Sequence, residues 1–174
     1  MKVLFFTDIH GSEYALKEIE GIIEKEKPNK VVFLGDILYH GPRNPFPTEY
    51  NPMGVAERIK NLSVPHVIVK GNCDSEVDEM VLEERFKQRY TVELNGKKVI
   101  CTHGHKLDSL KTEGAFAVIY GHFHVTETYV ENGVNFVNIA SASLPKEGSA
   151  KAYASFNGNV LNVKDFDGEV LFVI

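Results

Sequence analysis

Five short apolar runs, each closed by residues that hold metals or protons, constrain this chain more than any other feature. The first, Lys2-Val3-Leu4-Phe5-Phe6, leads into Thr7-Asp8-Ile9-His10-Gly11. A run of this kind reads as a buried strand. Lys30 to Leu34 closes in Gly35-Asp36, and His66 to Val69 in Gly71-Asn72-Cys73-Asp74. Lys97 to Thr102 closes in His103-Gly104-His105, and Ala115 to Tyr120 in Gly121-His122-Phe123-His124. In α/β sheets, sites lie beyond the carboxyl ends of strands. At spacing two, Asp8 and His10 are expected on the same side of an extended segment.

Between the first two runs, apolar residues Ala15, Leu16, Ile19, Ile22 and Ile23 recur at helical spacing. Ser12 is a good N-cap for that helix, and Pro28-Asn29 ends it. Strand, helix, strand is a βαβ unit, so the first two strands are parallel with a right-handed crossover. Asp8 and Asp36 then fall at the same end of neighbouring strands. A long stretch follows from Leu38 to Pro52, with four prolines and no periodicity. Loops of that length are functional or mobile, and a lid or substrate wall is the reading favoured for this one. A second helix is expected over Gly54 to Leu62, and a helical or irregular segment over Val77 to Gln88.

The second half is built differently. Asn95-Gly96 separates Tyr90–Leu94 from Lys97–Thr102, the strongest short hairpin signal. Asn132-Gly133, Asn157-Gly158 and Asp167-Gly168 separate further strand patterns, so the tail reads as antiparallel sheet. A short helix is expected over Lys106 to Thr112. The fold class is therefore α/β, two packed mixed β-sheets flanked by helices, with residues 1–174 as one domain.

Composition narrows the function. The net charge of -5 argues against broad nucleic-acid binding, which needs a basic surface. Two cysteines, Cys73 and Cys101, are no disulfide framework and fit a reducing compartment, the cytoplasm. No apolar run is long enough to span a membrane, and the first is too short for a signal peptide.

The residues at the strand ends are Asp8, His10, Asp36, Asn72, His103, His122 and His124. Each type taken alone is ordinary at a strand end, as a turn cap or a surface histidine. Together they are two carboxylates, one amide and four imidazoles, none of them comfortable when buried without partners. A divalent ion takes four or more ligands, with a position left for water. Seven residues with Asp36 bridging suit two ions. Mixed oxygen and nitrogen donors point to Mn, Fe, Zn or Ni, with Mn foremost, rather than Mg or Ca.

The series Asp8-x-His10, Gly35-Asp36, Gly71-Asn72, His103 and Gly121-His122-x-His124 resembles the calcineurin-like metallophosphoesterases, in family order. The stretches from Gly35 to Asn44 and from Gly71 to Asp78 resemble the small YfcE-type phosphodiesterases within that family. The resemblance implies a two-sheet sandwich and hydrolysis of a small-molecule phosphodiester by a metal-bound hydroxide. It implies one ion on Asp8, His10, Asp36 and His124, and a second on Asp36, Asn72, His103 and His122. A homodimer is a further expectation. The same ligands serve a phosphomonoesterase, and the family also includes a retromer coat subunit that is an interaction scaffold.

One departure stands out. Many members of the wider family carry histidine after the asparagine, as general acid or phosphate contact, and here that residue is Cys73. Its thiol either delivers a proton or simply leaves room. His40, Arg43 and His105 are the other candidates around the reaction, Arg43 by binding a phosphate oxygen bidentately. His105 is equally read as a group that orients His103. Asp74 is expected to orient a neighbour, Cys101 to pack as a small hydrophobe, and Phe123 to pack beneath the site.

Overall fold

The computed structural model describes residues 1–174. Two sheets pack face to face. The first has six strands in the order β11-β10-β9-β1-β2-β3, from β1 (Val3–Phe6), β2 (Lys30–Phe33), β3 (His66–Ile68), β9 (Ala152–Phe156), β10 (Leu161–Asp165) and β11 (Val170–Val173). The second has five in the order β4-β5-β6-β8-β7: β4 (Tyr90–Leu94), β5 (Lys97–Cys101), β6 (Ala117–Tyr120), β7 (Glu127–Glu131) and β8 (Val134–Asn138). Both are mixed. β1 pairs in parallel with β2 and antiparallel with β9, while β6 is parallel to both β5 and β8.

The continuous apolar runs are explained by burial on both faces. In β1, Val3 and Phe5 enter the core between the sheets, while Leu4 and Phe6 enter the core beneath the helices. Val32 and the pair Val31 and Phe33 divide in the same way along β2. The helices are α1 (Glu13–Glu26), α2 (Pro52–Lys60) and α3 (Glu76–Leu82), and their apolar faces share the Leu4–Phe6 core. Ser12 caps α1 as expected, its hydroxyl accepting the N–H of Ala15 at 3.1 Å. Lys27 closes the helix in the left-handed conformation at φ 49°.

All three helices lie on the first sheet. The outer face of the second sheet is covered instead by the segment carrying Leu107, Leu110 and Ala115. The helix expected over Lys106 to Thr112 is only a 3-10 turn, Leu107–Ser109. The second helix starts earlier than expected. Asn51, whose side chain accepts the N–H of Gly54, caps it, and Pro52 occupies its first turn, where a missing N–H costs nothing.

Candidate metal centre

β1, β2, β3, β5 and β6 all end at one rim of the sandwich, and the loops beyond them supply the seven residues named above. The expectation of an extended Asp8–His10 segment does not hold. Asp8 and His10 have φ of 54° and 51°, and Asp36, His122 and His124 lie at 55°, 72° and 62°. Five of the seven therefore sit in the left-handed region, which costs an ordinary residue about 1–3 kcal/mol. Asp and His tolerate it better than most residues. The chain turns sharply at each of these positions, so their side chains converge although the segments are not extended.

Asp8 shows how the convergence is fixed. Its Oδ2 accepts from the Thr7 hydroxyl at 2.6 Å and from the N–H of His122 at 2.9 Å. Its carbonyl accepts from the hydroxyls of Ser141 and Ser143 at 2.7 and 3.0 Å. Oδ1 is buried and has no hydrogen-bond partner. It faces Nε2 of His124 at 3.3 Å, of His10 at 3.5 Å and of His103 at 4.0 Å. Asp36 is arranged alike. Oδ1 takes the N–H of Cys73 at 2.8 Å, and Oδ2 lies 3.3 Å from His103 Nε2 and 3.9 Å from His10 Nε2.

The tautomers follow from the backbone. Nδ1 of His10, His124 and His103 each faces a carbonyl, of Tyr39 at 2.9 Å, Leu144 at 2.7 Å and Leu34 at 2.8 Å. A carbonyl only accepts, so Nδ1 carries the hydrogen and a neutral ring has its lone pair on Nε2. Nε2 of His10 and of His124 then oppose each other at 3.1 Å, and Nε2 of His103 faces the Asn72 amide oxygen at 3.1 Å. Lone pairs and carboxylate oxygens pointing at one another need a cation between them. The donor set therefore fits divalent metal, with backbone carbonyls orienting the imidazoles.

The same charges act on the free side chains. Burial opposes charge on His103, but Asp8 and Asp36 outweigh it and raise the ring to about 9. Burial would raise Asp8; the His103 charge and the His10 and His124 rings hold it well below the usual carboxylate range instead. Burial and the His103 charge lower His122 and His105. Burial pushes the Cys73 thiol up to about 12, helped by Asp36.

The remaining candidates separate. His122 is beside the cluster, its ring 5.1 Å from that of His103, and it lines the same cleft. That cleft, about 640 Å³, is also lined by Arg43, Cys73 and Phe123. Phe123 is 49% exposed there and does not pack beneath the site. His40 is not part of the lining; its ring packs against Tyr39, Phe46 and Tyr50. The His105 ring is 5.5 Å from that of His103, whose Nδ1 is already held by Leu34, so orienting His103 falls to the backbone. Asp74 holds backbone rather than a side chain: it accepts the N–H groups of Asp36, Ile37 and Gly71 at 2.8, 2.9 and 2.7 Å. Burial and the Asp36 charge push its carboxyl up to about 6 even against those donors.

Sequence reading missed Thr7, Ser141, Ser143 and Lys146. Ser141 and Ser143 had a usable signal, two hydroxyls at spacing two after an apolar strand. Lys146 had none.

A β-sandwich whose parallel strand ends carry this donor set defines a class of metal-dependent phosphoesterases. The chain matches the calcineurin-like phosphoesterase superfamily domain over residues 1–159 and belongs to that superfamily. It is 35% identical over 169 residues to phosphodiesterase YfcE of Escherichia coli (strain K12), covering 94% of this chain and 91% of that one. The solved structure of E. coli YfcE, described as a phosphoesterase, superposes with a TM-score of 0.90 at 32% identity, over 100% of this chain and 98% of that chain. Vps29 of Chaetomium thermophilum shares the fold alone, with a TM-score of 0.65 at 15% identity, over 100% of this chain and 95% of that chain.

Proposed function

We propose that this protein is a dimetal phosphodiesterase acting on a small-molecule phosphodiester. The observation that carries this reading is the buried, unpartnered Asp8 Oδ1 facing three imidazoles whose Nδ1 hydrogens are held by backbone carbonyls. Asp8, His10, Asp36, Asn72, His103, His122 and His124 are read as the ligands, with Asp36 shared. Two divalent ions would stabilise charge on the phosphoryl oxygens and supply a water-derived nucleophile at neutral pH. Manganese suits the mixed oxygen and nitrogen donors.

The chain's own groups do the rest. Arg43, at the cleft wall, binds a phosphoryl oxygen and orients the diester. Cys73 keeps its proton on Sγ, because burial and Asp36 oppose the thiolate, and it is read as the donor to the departing oxygen. His40 and His105 stand back from the cleft lining, so proton transfer falls to Cys73 in this reading. One domain, a cytoplasmic setting and a homodimer complete the proposal. The family match over most of the chain and two free cysteines support the first two.

The test is hydrolysis of bis(p-nitrophenyl) phosphate beside p-nitrophenyl phosphate, on chelator-stripped protein with and without Mn²⁺. Metal-dependent turnover of the diester with little on the monoester is expected. The reverse preference would establish a phosphomonoesterase. No turnover from protein shown to bind two ions would favour an interaction scaffold of the same fold.

A further inference from the structure

The two candidate ligands that oppose each other also hang two cationic loops over the cleft. His10 Nδ1 holds the carbonyl of Tyr39, and His124 Nδ1 holds that of Leu144. Arg43 follows four residues after Tyr39, and Lys146 two residues after Leu144. The loops meet at one contact across the mouth: Lys146 Nζ donates to Asn44 Oδ1 at 3.2 Å. Asn44 is itself fixed, its amide donating to the carbonyl of His40 at 2.9 Å. The Lys146 N–H donates to the carbonyl of His124 at 2.9 Å. Arg43, next to Asn44 in the chain, lines the same cleft.

Some cations elsewhere are spent on carboxylates, as in Lys2–Glu26, Lys17–Glu49, Arg58–Glu20, Lys151–Glu18 and Lys164–Glu26, while Lys97 and Lys98 rest on backbone carbonyls away from the cleft. Lys146 instead rests on a neutral amide, with two of its three hydrogens unspent. The only carboxylate lining the cleft is Asp36, whose free oxygen faces the imidazoles. Lys146 Nζ is held on the Asn44 side of the cleft. An anionic acceptor outcompetes a neutral amide for an ammonium, because charge-assisted hydrogen bonds are about twice as strong.

We propose that Lys146, with the guanidinium hydrogens of Arg43 that the reacting phosphoryl oxygen leaves free, forms an anion subsite for a non-reacting group, so that the preferred substrates are phosphodiesters bearing a second anionic group, such as a terminal phosphate. This rests on the phosphodiesterase reading and names its substrate class. The second charge bridges the loops in place of the Lys146–Asn44 contact.

The test compares thymidine 5′-(p-nitrophenyl phosphate) with its 3′-phosphorylated counterpart on the Mn²⁺-loaded protein. A preference of about ten-fold or more in kcat/KM for the 3′-phosphorylated diester is expected, expressed mainly in KM. Lys146→Met should bring the ratio near one, Arg43→Met should reduce it, and Lys146→Arg should keep most of it. A wild-type ratio near one, or a ratio unmoved in Lys146→Met and Arg43→Met, overturns the subsite. Calorimetric titration with thymidine 3′,5′-bisphosphate and thymidine 5′-monophosphate separates this from the parent reading. If neither diester is cleaved, the phosphodiesterase reading fails. The anion subsite then stands only if the bisphosphate binds about ten-fold more tightly and Lys146→Met removes that advantage. Equal affinities overturn it.

Discussion

Asp74 and Asp36 are joined back to front. Oδ2 of Asp74 accepts the backbone N–H of Asp36 at 2.8 Å, while the Asp36 side chain points the other way, toward His103 at 3.3 Å. The left-handed turn at Asp36 is thus held by a carboxylate that touches no other member of the donor set. Asp74→Ala should leave three buried N–H donors without an acceptor and cost about 3 kcal/mol or more. It should also weaken metal binding roughly 10–100-fold, as loss of an orienting partner does. Urea unfolding and metal titration check both, and Asp74→Asn, which keeps one acceptor oxygen, should fall between. Wild-type metal affinity in Asp74→Ala would remove Asp74 from this role.

Metal removal should soften the whole rim. Ligand in hundred-fold excess over Kd stabilises by about 2.7 kcal/mol per site. For a chain of this size, two such sites correspond to a rise in Tm of roughly 10–20 °C. Thermal unfolding with chelator and with Mn²⁺ measures it. His103 is raised to about 9 without metal, so it is charged at pH 7 and must give up its proton to bind. Calorimetry in buffers of different ionisation enthalpy should therefore show net proton release. Zero release, or an unchanged Tm, contradicts this account of the centre.

Two glycines hold space for the carboxylates. A Cβ on Gly71 would strike Asp36 Oδ1, and one on Gly121 would strike Thr7 Oγ1 and Asp8 Oδ2. Neither glycine has a positive φ, so the demand is for room and not for backbone freedom. Gly71→Ala and Gly121→Ala should each cost about 1–3 kcal/mol and displace the carboxylate they crowd. Loss of metal affinity larger than the loss of stability is the expected signature. Gly21→Ala, in open space on α1, is the control and should be neutral or slightly stabilising.

The acid limb of stability should depend on Glu26. Partial burial raises its carboxyl, but hydrogen bonds from Lys164, Lys2 and Tyr153 outweigh that and bring it from 4.5 to about 2. The folded state therefore binds this proton less readily than the unfolded state. The stabilisation is fully present above pH 4.5 and is lost as the pH falls toward 2. Glu26→Gln should cost about 2 kcal/mol at pH 7, allowing for solvent at Lys2. Urea midpoints of the two proteins should converge as the pH drops. A gap that is constant from pH 7 to pH 3 would remove the charge from the explanation.

Much of the site was legible because strand ends are legible. Buried strands need apolar runs, and polar residues that interrupt them stand out. The Asn-Gly turns were visible for the same local reason. The 3-10 turn at Leu107–Ser109 was misjudged because helical propensity over a short segment yields to the need to cover Val118, Phe136 and Ile100. Phe123 was misplaced because an aromatic between two histidines says nothing about which side of the chain faces the cleft.

By itself the sequence determined the donor types, their order and their position after buried strands, because these are properties of local composition and spacing. Tertiary structure alone decided which atoms are free. Oδ1 of Asp8 is left over because Thr7 and His122 take Oδ2, and Nε2 of His10, His103 and His124 is left over because a distant carbonyl takes Nδ1. Those partners come from residues 20 to 114 positions away, or from the next residue turned back on itself. Lys146 entered the cleft in the same way, through the loop that His124 holds. Hydrogen bonding at this range depends on the packing of two sheets, which no short stretch of chain encodes.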